Sequence, residues 1–295
     1  TVLSRGLGDV YKRQLLALVS DLGGAWHRPH PGPFIWNSIQ ASAAEDYDWT
    51  DADVVVAASQ AQGLQLMATI FPYADWDQAT CHDALTETES SSFETLGDYR
   101  QQPCDMDAAA DFIAAVIERY DGDGTDDMDG LVYPIRFWEI ANEPAIALTG
   151  DGSVFYSGTA EEYYTLLNAA YTAAVSADEN ASILPAGMYG HEEIAQDYWT
   201  TVYGLGASSY MDIANYHSIS SASQDAQMTD QADFLTSLGL DVDTWVTELE
   251  FSSDALGQLD TETAAKTMVQ IYIRAFACGA DKIFLAGQYY DVSLY

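Results

Sequence analysis

Short apolar runs alternate along the chain with longer stretches whose apolar residues recur at helical spacing. The runs at 25–30, 64–71, 137–143, 182–187, 211–217, 243–251 and 282–289 read as buried strands. Between them, 51–62, 107–120, 161–177, 231–238 and 263–278 read as helices. The clearest is 107–120, where Ala109, Phe112, Ile113, Val116, Ile117 and Tyr120 follow i, i+3, i+4, i+7 spacing. Val54, Ala57, Ala58 and Ala61 are the expected buried face of the first helix, and Tyr164, Leu167, Tyr171, Ala174 and Val175 that of the third. Strand and helix alternating in this way predict a parallel sheet.

Seven strands would suit an open doubly wound sheet, but no glycine-rich dinucleotide turn follows the first, which disfavours a Rossmann arrangement. A (β/α)8 TIM barrel needs eight, and the missing one would stand before residue 15. Residues 1–14 differ from the rest: Arg5, Lys12 and Arg13 supply three of the ten positive charges. Their stretch Asp9-Val10-Tyr11-Lys12-Arg13-Gln14 matches the translation of a transposon end used in sequencing libraries. Residues 1–14 are therefore set aside as non-native. Residues 15–295 are expected to form one α/β barrel, truncated at its first strand and last helix.

The strand at 137 ends in Ala141-Asn142-Glu143-Pro144, where proline stops the ladder. The carboxyl ends of barrel strands are where chemistry is built, which makes Glu143 the first catalytic candidate. A second comes from Thr244-Trp245-Val246-Thr247-Glu248-Leu249-Glu250, in which Val246, Glu248 and Glu250 are expected on one face by the period of two. Glu248 lies near the strand's carboxyl end, with Glu250 as a rival. Cleaving a glycosidic bond needs such a pair: an acid for the leaving oxygen, and a carboxylate across the sugar carbon as nucleophile or base.

These two motifs resemble the fourth-strand Asn-Glu-Pro and seventh-strand Glu of the clan A glycoside hydrolases, nearest in general look to family 39 and neighbouring β-xylosidases and cellulase-like enzymes. If one strand is lost at the start, the strands carrying the motifs count as fourth and seventh. The resemblance implies a retaining enzyme that needs no cofactor, with a carbohydrate as its partner. It implies Glu143 as acid/base, Glu248 as nucleophile and Asn142 on the hydroxyl beside the reacting carbon. Arg28, His217 and Tyr216 are the candidate neighbours of the nucleophile, as family members place an Arg on the second strand and an aromatic residue or His on the sixth. His30 and Glu250 join the substrate-binding candidates, although His30 and His217 read equally well as structural histidines. Trp76, in the long polar loop 74–104, is the aromatic residue expected to stack on sugar. Gln288 stands where many relatives carry a Trp. Glu139, deeper in the strand than Glu143, is expected in a buried pair with Arg28 or Arg136. A transglycosylase using the same carboxylates and an inactive carbohydrate-binding barrel are the alternatives.

Charge narrows the partners. Acidic residues outnumber basic ones 46 to 10, for a net charge of −36, which argues against nucleic acid and anionic membranes. No run of eighteen apolar residues occurs, so no membrane-spanning helix is expected. The acidity is spread along the chain, as on a surface suited to salty water or on a secreted enzyme, and a secreted location is the expectation. Cys81 and Cys104 share one long loop, as a disulfide or a reduced pair, while Cys278 reads as a core thiol. The turn 121–130 lacks the sixth-position glycine and distal Glu of an EF-hand. Asp121, Asp123, Asp127 and Asp129 there are either a structural calcium clip or an acidic solvated loop, on the face opposite the site.

Overall fold

In the computed structural model, which describes residues 16–91, 93–190, 192–218, 224–250 and 261–286, seven strands run parallel in chain order. Strands β1 (Trp26–His27), β2 (Gln65–Ile70), β3 (Phe137–Ile140) and β4 (Ser182–Pro185) form one ladder. Strands β5 (Ile213–Ser218), β6 (Asp243–Glu250) and β7 (Lys282–Ala286) form another. Met188 joins the two by bridging Tyr216: the His217 amide donates to the Met188 carbonyl at 2.9 Å.

Among the described residues six longer helices connect the strands: α1 (Thr50–Gln60), α2 (Met106–Arg119), α3 (Ala160–Ala177), α4 (Glu193–Gly204), α5 (Gln224–Ser237) and α6 (Thr261–Ala277). Asp105 caps α2 by accepting from the Ala108 amide, and Thr159 with Glu162 forms a capping box on α3. Helix α2 buries Ala109, Phe112, Ile113, Val116 and Ile117 as its spacing predicts. Helix α1 does not follow its pattern, for it buries Ala52, Val56, Ser59 and Gln60 and leaves Val54 and Ala57 exposed. Hydrogen bonding outweighs apolarity there: Ser59 Oγ meets His27 Nδ1 at 2.8 Å, and Gln60 binds the backbone of Val132 and Tyr133. Helix α3 turns Tyr163, Leu166, Leu167, Ala170 and Ala174 inward, a face offset from the expected one. Helix α4 falls in a stretch for which no element is expected above, although its buried Ala195, Tyr198, Trp199 and Val202 carry helical spacing.

One main core lies between strands and helices. Inside the curl of the sheet, each strand gives one residue to a second cluster of Trp26, Met67, Phe137, Leu184, Ile213, Trp245 and Phe284. The rings of Trp26 and Phe284, on the first and last strands, stand 6.3 Å apart. Lys282 Nζ sits 3.4 Å from the centre of the Trp26 ring and 4.0 Å from that of Trp245. The sheet thus curls until its two ends share an interior, as barrel strands do. Among the described residues no ladder joins β7 to β1, and the segment where an eighth strand is expected lies outside them.

Cys81 and Cys104 are bonded as a disulfide, and Cys278 is free and half-buried.

Candidate active site

A polar layer rests on the apolar ring. At its centre is Glu139, fully buried, whose Oε2 accepts from Arg28 Nη2 at 2.6 Å and from Thr69 Oγ1 at 2.6 Å. Its Oε1 accepts from Asn215 Nδ2 at 2.6 Å and lies 3.1 Å from Thr247 Oγ1. Burial works to raise the carboxyl of Glu139, yet the charge of Arg28 and the donors around it hold it well below the usual carboxylate range. Glu139 is therefore the structural partner expected for Arg28, while Arg136 pairs with Asp178 instead.

Arg28 reaches upward as well. Its Nη1 donates to Glu248 Oε1 at 2.6 Å and its Nη2 to Asn142 Oδ1 at 2.8 Å. One guanidinium therefore fixes the deep carboxylate, the candidate nucleophile and the candidate hydroxyl binder. Asn142 is buried and its Nδ2 has no hydrogen-bond partner among the described residues.

Glu143 follows the end of β3 on a backbone that turns sharply. Ala141 and Glu143 have φ of 63° and 37°, the left-handed region that side chains with a Cβ rarely enter. That conformation brings Glu143 beside His217, whose Nδ1 is 2.6 Å from its Oε1. Burial, reinforced by the charge of Glu248, pushes Glu143 up to about 7 against the pull of His217 and Arg28. Burial also opposes ionisation of Glu248, but the charges of His217 and Arg28 bring it below its ordinary value. For His217 burial favours the neutral ring, and the surrounding carboxylates overcome this, Glu248 foremost, raising it to about 10. Below about pH 7 the two carboxyl groups are thus driven to opposite protonation states.

Oxygens of Glu143 and Glu248 and a ring nitrogen of His217 all lie within 4.8 Å of one another. By donor type the three could hold a metal, but both nitrogens of His217 are engaged and the Arg28 cation already faces Glu248. The placement of Glu248 departs from simple alternation. The register of β6 shifts between Val246 and Leu249, so Trp245, Thr247, Glu248 and Glu250 face the interior while Val246 packs in the helix-side core. The expected common face of Val246, Glu248 and Glu250 is therefore corrected for Val246.

A cavity of about 620 Å³ opens over these groups, lined by Arg28, His30, Glu143, Thr247, Glu248 and Glu250 among others. Burial and nearby Arg28 keep His30 neutral, lowered to about 3, and its Nδ1 is buried without a partner among the described residues. Burial, with the charges of Glu248 and Glu143, lifts Glu250 to about 7. Four expected binders are not among the residues that line this cavity: Asn142 and His217, which lie fully buried beneath it, and Tyr216 and Trp76. Tyr216 alternates with His217 along β5, so it packs under the helices in the main core. Trp76 packs on Trp36, donates to the Gln40 carbonyl at 2.9 Å and lines a separate surface hollow with Cys104 and Met106. Gln288 lies outside the described residues. In the turn 121–130, carboxylate oxygens of Asp121, Asp123 and Asp127 converge, whereas Asp129 is not in the group. Those three each accept a backbone amide of the turn.

Four supporting residues are absent from the sequence-based candidates: Thr69, Asn215, Thr247 and Gly187. The first three are polar residues at inward positions of apolar strands, which is the signal that could have found them. Gly187 is needed for space, since a β-carbon there would run into the His217 imidazole.

No family profile and no curated protein sequence matches the chain. Solved structures do. A monomeric β-xylosidase from Caulobacter crescentus is similar over 92% of this chain and 56% of its own, at 16% identity and a TM-score of 0.65. A family 39 glycoside hydrolase from Bacteroides cellulosilyticus is similar over 94% and 53%, at 12% identity and a TM-score of 0.62. An endo-1,4-β-mannanase from Rhizomucor miehei is similar over 94% and 82%, at 13% identity and a TM-score of 0.57. The chain spans about half the length of the first two. The likeness is one of fold: the parallel α/β arrangement is shared with solved glycoside hydrolases, the class of enzyme whose motifs the two Glu segments resemble.

Proposed function

We propose that this chain is a retaining β-glycosidase acting on oligo- or polysaccharides. The observation that carries the reading is the pair itself: Glu143 pushed up to about 7 and Glu248 held down, with oxygens within 4.8 Å in one cavity. Retaining glycosidases keep their carboxyl groups about 5–5.5 Å apart, whereas inversion needs about 6.5–9.5 Å to admit a water. One oxygen from each carboxyl within 4.8 Å of the other fits the shorter spacing.

In this mechanism protonated His217 donates from Nδ1 to Glu143 Oε1, so the acid proton rides on the other oxygen. Glu143 passes it to the glycosidic oxygen as Glu248 attacks the anomeric carbon, breaking the bond and leaving a glycosyl ester on Glu248. Glu143, now ionised, takes a proton from water, which displaces the sugar and restores both carboxyl groups. Arg28 keeps Glu248 ionised and aimed, and the free Nδ2 of Asn142 binds the hydroxyl beside the reacting carbon. The Cys81–Cys104 bond supports export to an oxidising compartment.

The test is a panel of aryl β-xyloside, glucoside, galactoside and mannoside. Glu143→Gln should lower kcat about 10²–10⁴-fold on a substrate whose leaving group needs protonation. Glu248→Gln should abolish turnover, and the first product should keep the β configuration. Undiminished activity in Glu143→Gln, or an α product, would sink the reading.

A further inference from the structure

The cavity has a second wall that none of the catalytic motifs accounts for. Phe93 and Phe155, more than sixty residues apart, both line it, with ring centres 4.3 Å apart. His30 joins them, 5.5 Å from Phe155 and 6.4 Å from Phe93 by ring centres. Phe155 is almost covered at 4% exposure and backs the half-buried Phe93. Both come from loops, after β2 and after β3, and loops rarely hold an apolar pair so close unless something binds them.

What binds them is Arg100. This fully buried guanidinium donates to the carbonyls of Ser90 and Phe93 at 3.0 Å each, to Gly97 at 3.1 Å and to Val154 at 2.5 Å. Its own carbonyl accepts from the Ser157 amide at 2.8 Å. One side chain therefore ties the 90–97 loop to the 154–157 loop. The tie holds Phe93 in a left-handed conformation, φ 63° and ψ 51°, which a bulky residue adopts only under constraint.

We infer that Phe93, backed by Phe155 and His30, is a stacking wall for a sugar unit adjoining the one cleaved, and that Arg100 is its positioning residue. A pyranose with equatorial substituents offers an apolar C–H face that matches a flat ring, so the ligand class is a β-linked oligosaccharide of at least two units. The inference rests on the glycosidase reading.

The experiment compares aryl β-xyloside, glucoside, galactoside and mannoside with β-1,4-linked trimers of xylose, glucose and mannose. Phe93→Ala and Phe155→Ala should raise KM on the best trimer roughly tenfold, the loss of one aromatic contact, with kcat within about twofold. Phe93→Gly separates binding from structure: glycine suits the left-handed backbone, so the unfolding temperature should not fall while KM still rises. Arg100→Lys should raise KM on the trimer similarly, and should add nothing in the Phe93→Gly background. A wild-type enzyme that turns over the trimer, with an unchanged KM in Phe93→Gly and Phe155→Ala, would overturn the wall. An inactive wild type would instead strike at the glycosidase reading.

Discussion

Two residues, Glu143 and His217, set the pH behaviour of the site. Turnover by the proposed mechanism needs Glu143 protonated and Glu248 ionised, so kcat/KM should be flat through the mildly acidic range and fall above about pH 7. A pH–rate profile checks this, and an alkaline limb that persists in Glu143→Gln would assign the titration elsewhere. Stability follows the same groups. Glu143 and His217 are both raised on folding, so what they contribute is present below their unfolded values and is lost as pH rises through about 7 and about 10. Glu139 and Glu248 are lowered, so theirs is present above the ordinary carboxylate value and is lost on acidification. Urea titrations across pH should therefore show a maximum on the mildly acidic side of neutrality. Gly187 gives a sharper test: Gly187→Ala should displace His217 and lose most activity, although alanine changes no charge. Full activity in that variant would mean that the imidazole can move without consequence.

At the scale of elements, much of the fold was legible because strands buried on both faces read as plain apolar runs. All seven expected strands are present, with Glu143 just past the end of β3 and Glu248 on β6. Where the reading fails, tertiary context is the cause. Helix α1 turns Ser59 and Gln60 inward because they have hydrogen-bond partners in the β1 strand and the 132–133 segment, which no periodicity reveals. On β6 a register shift cancels the period of two and turns Thr247 and Glu248 to the same side. The loop 74–104 was expected to act through Trp76, yet it meets the cavity through Phe93, whose carbonyl Arg100 holds from seven residues further along the chain. The same loop is stapled by its disulfide, which closes a separation of 23 residues. Replacing both cysteines by serine should lower stability by about 3 kcal/mol, read by chemical denaturation with kcat on aryl glycosides retained.

Over the whole molecule, the net charge of −36 is the dominant long-range term. Self-repulsion on this scale destabilises the compact state and is screened within a Debye length of about 3 Å at 1 M salt. The unfolding temperature should therefore climb steadily from low salt to about 1 M sodium chloride, and calorimetry showing no rise would remove repulsion as a limit on stability. The internal pairs of Arg28 should be indifferent to that salt, being almost wholly enclosed.

The meeting of Lys282 with Trp26 and Trp245 has an optical consequence. An ammonium 3.4 Å and 4.0 Å from two indole centres perturbs their excited states, and the contact spans the first and last strands of the curled sheet. Burial lowers this lysine to about 8, so its charge can be removed by mild alkali while the strands stay in place. The tryptophan emission of this protein thus carries an intrinsic gauge of whether the two ends of the sheet are in touch.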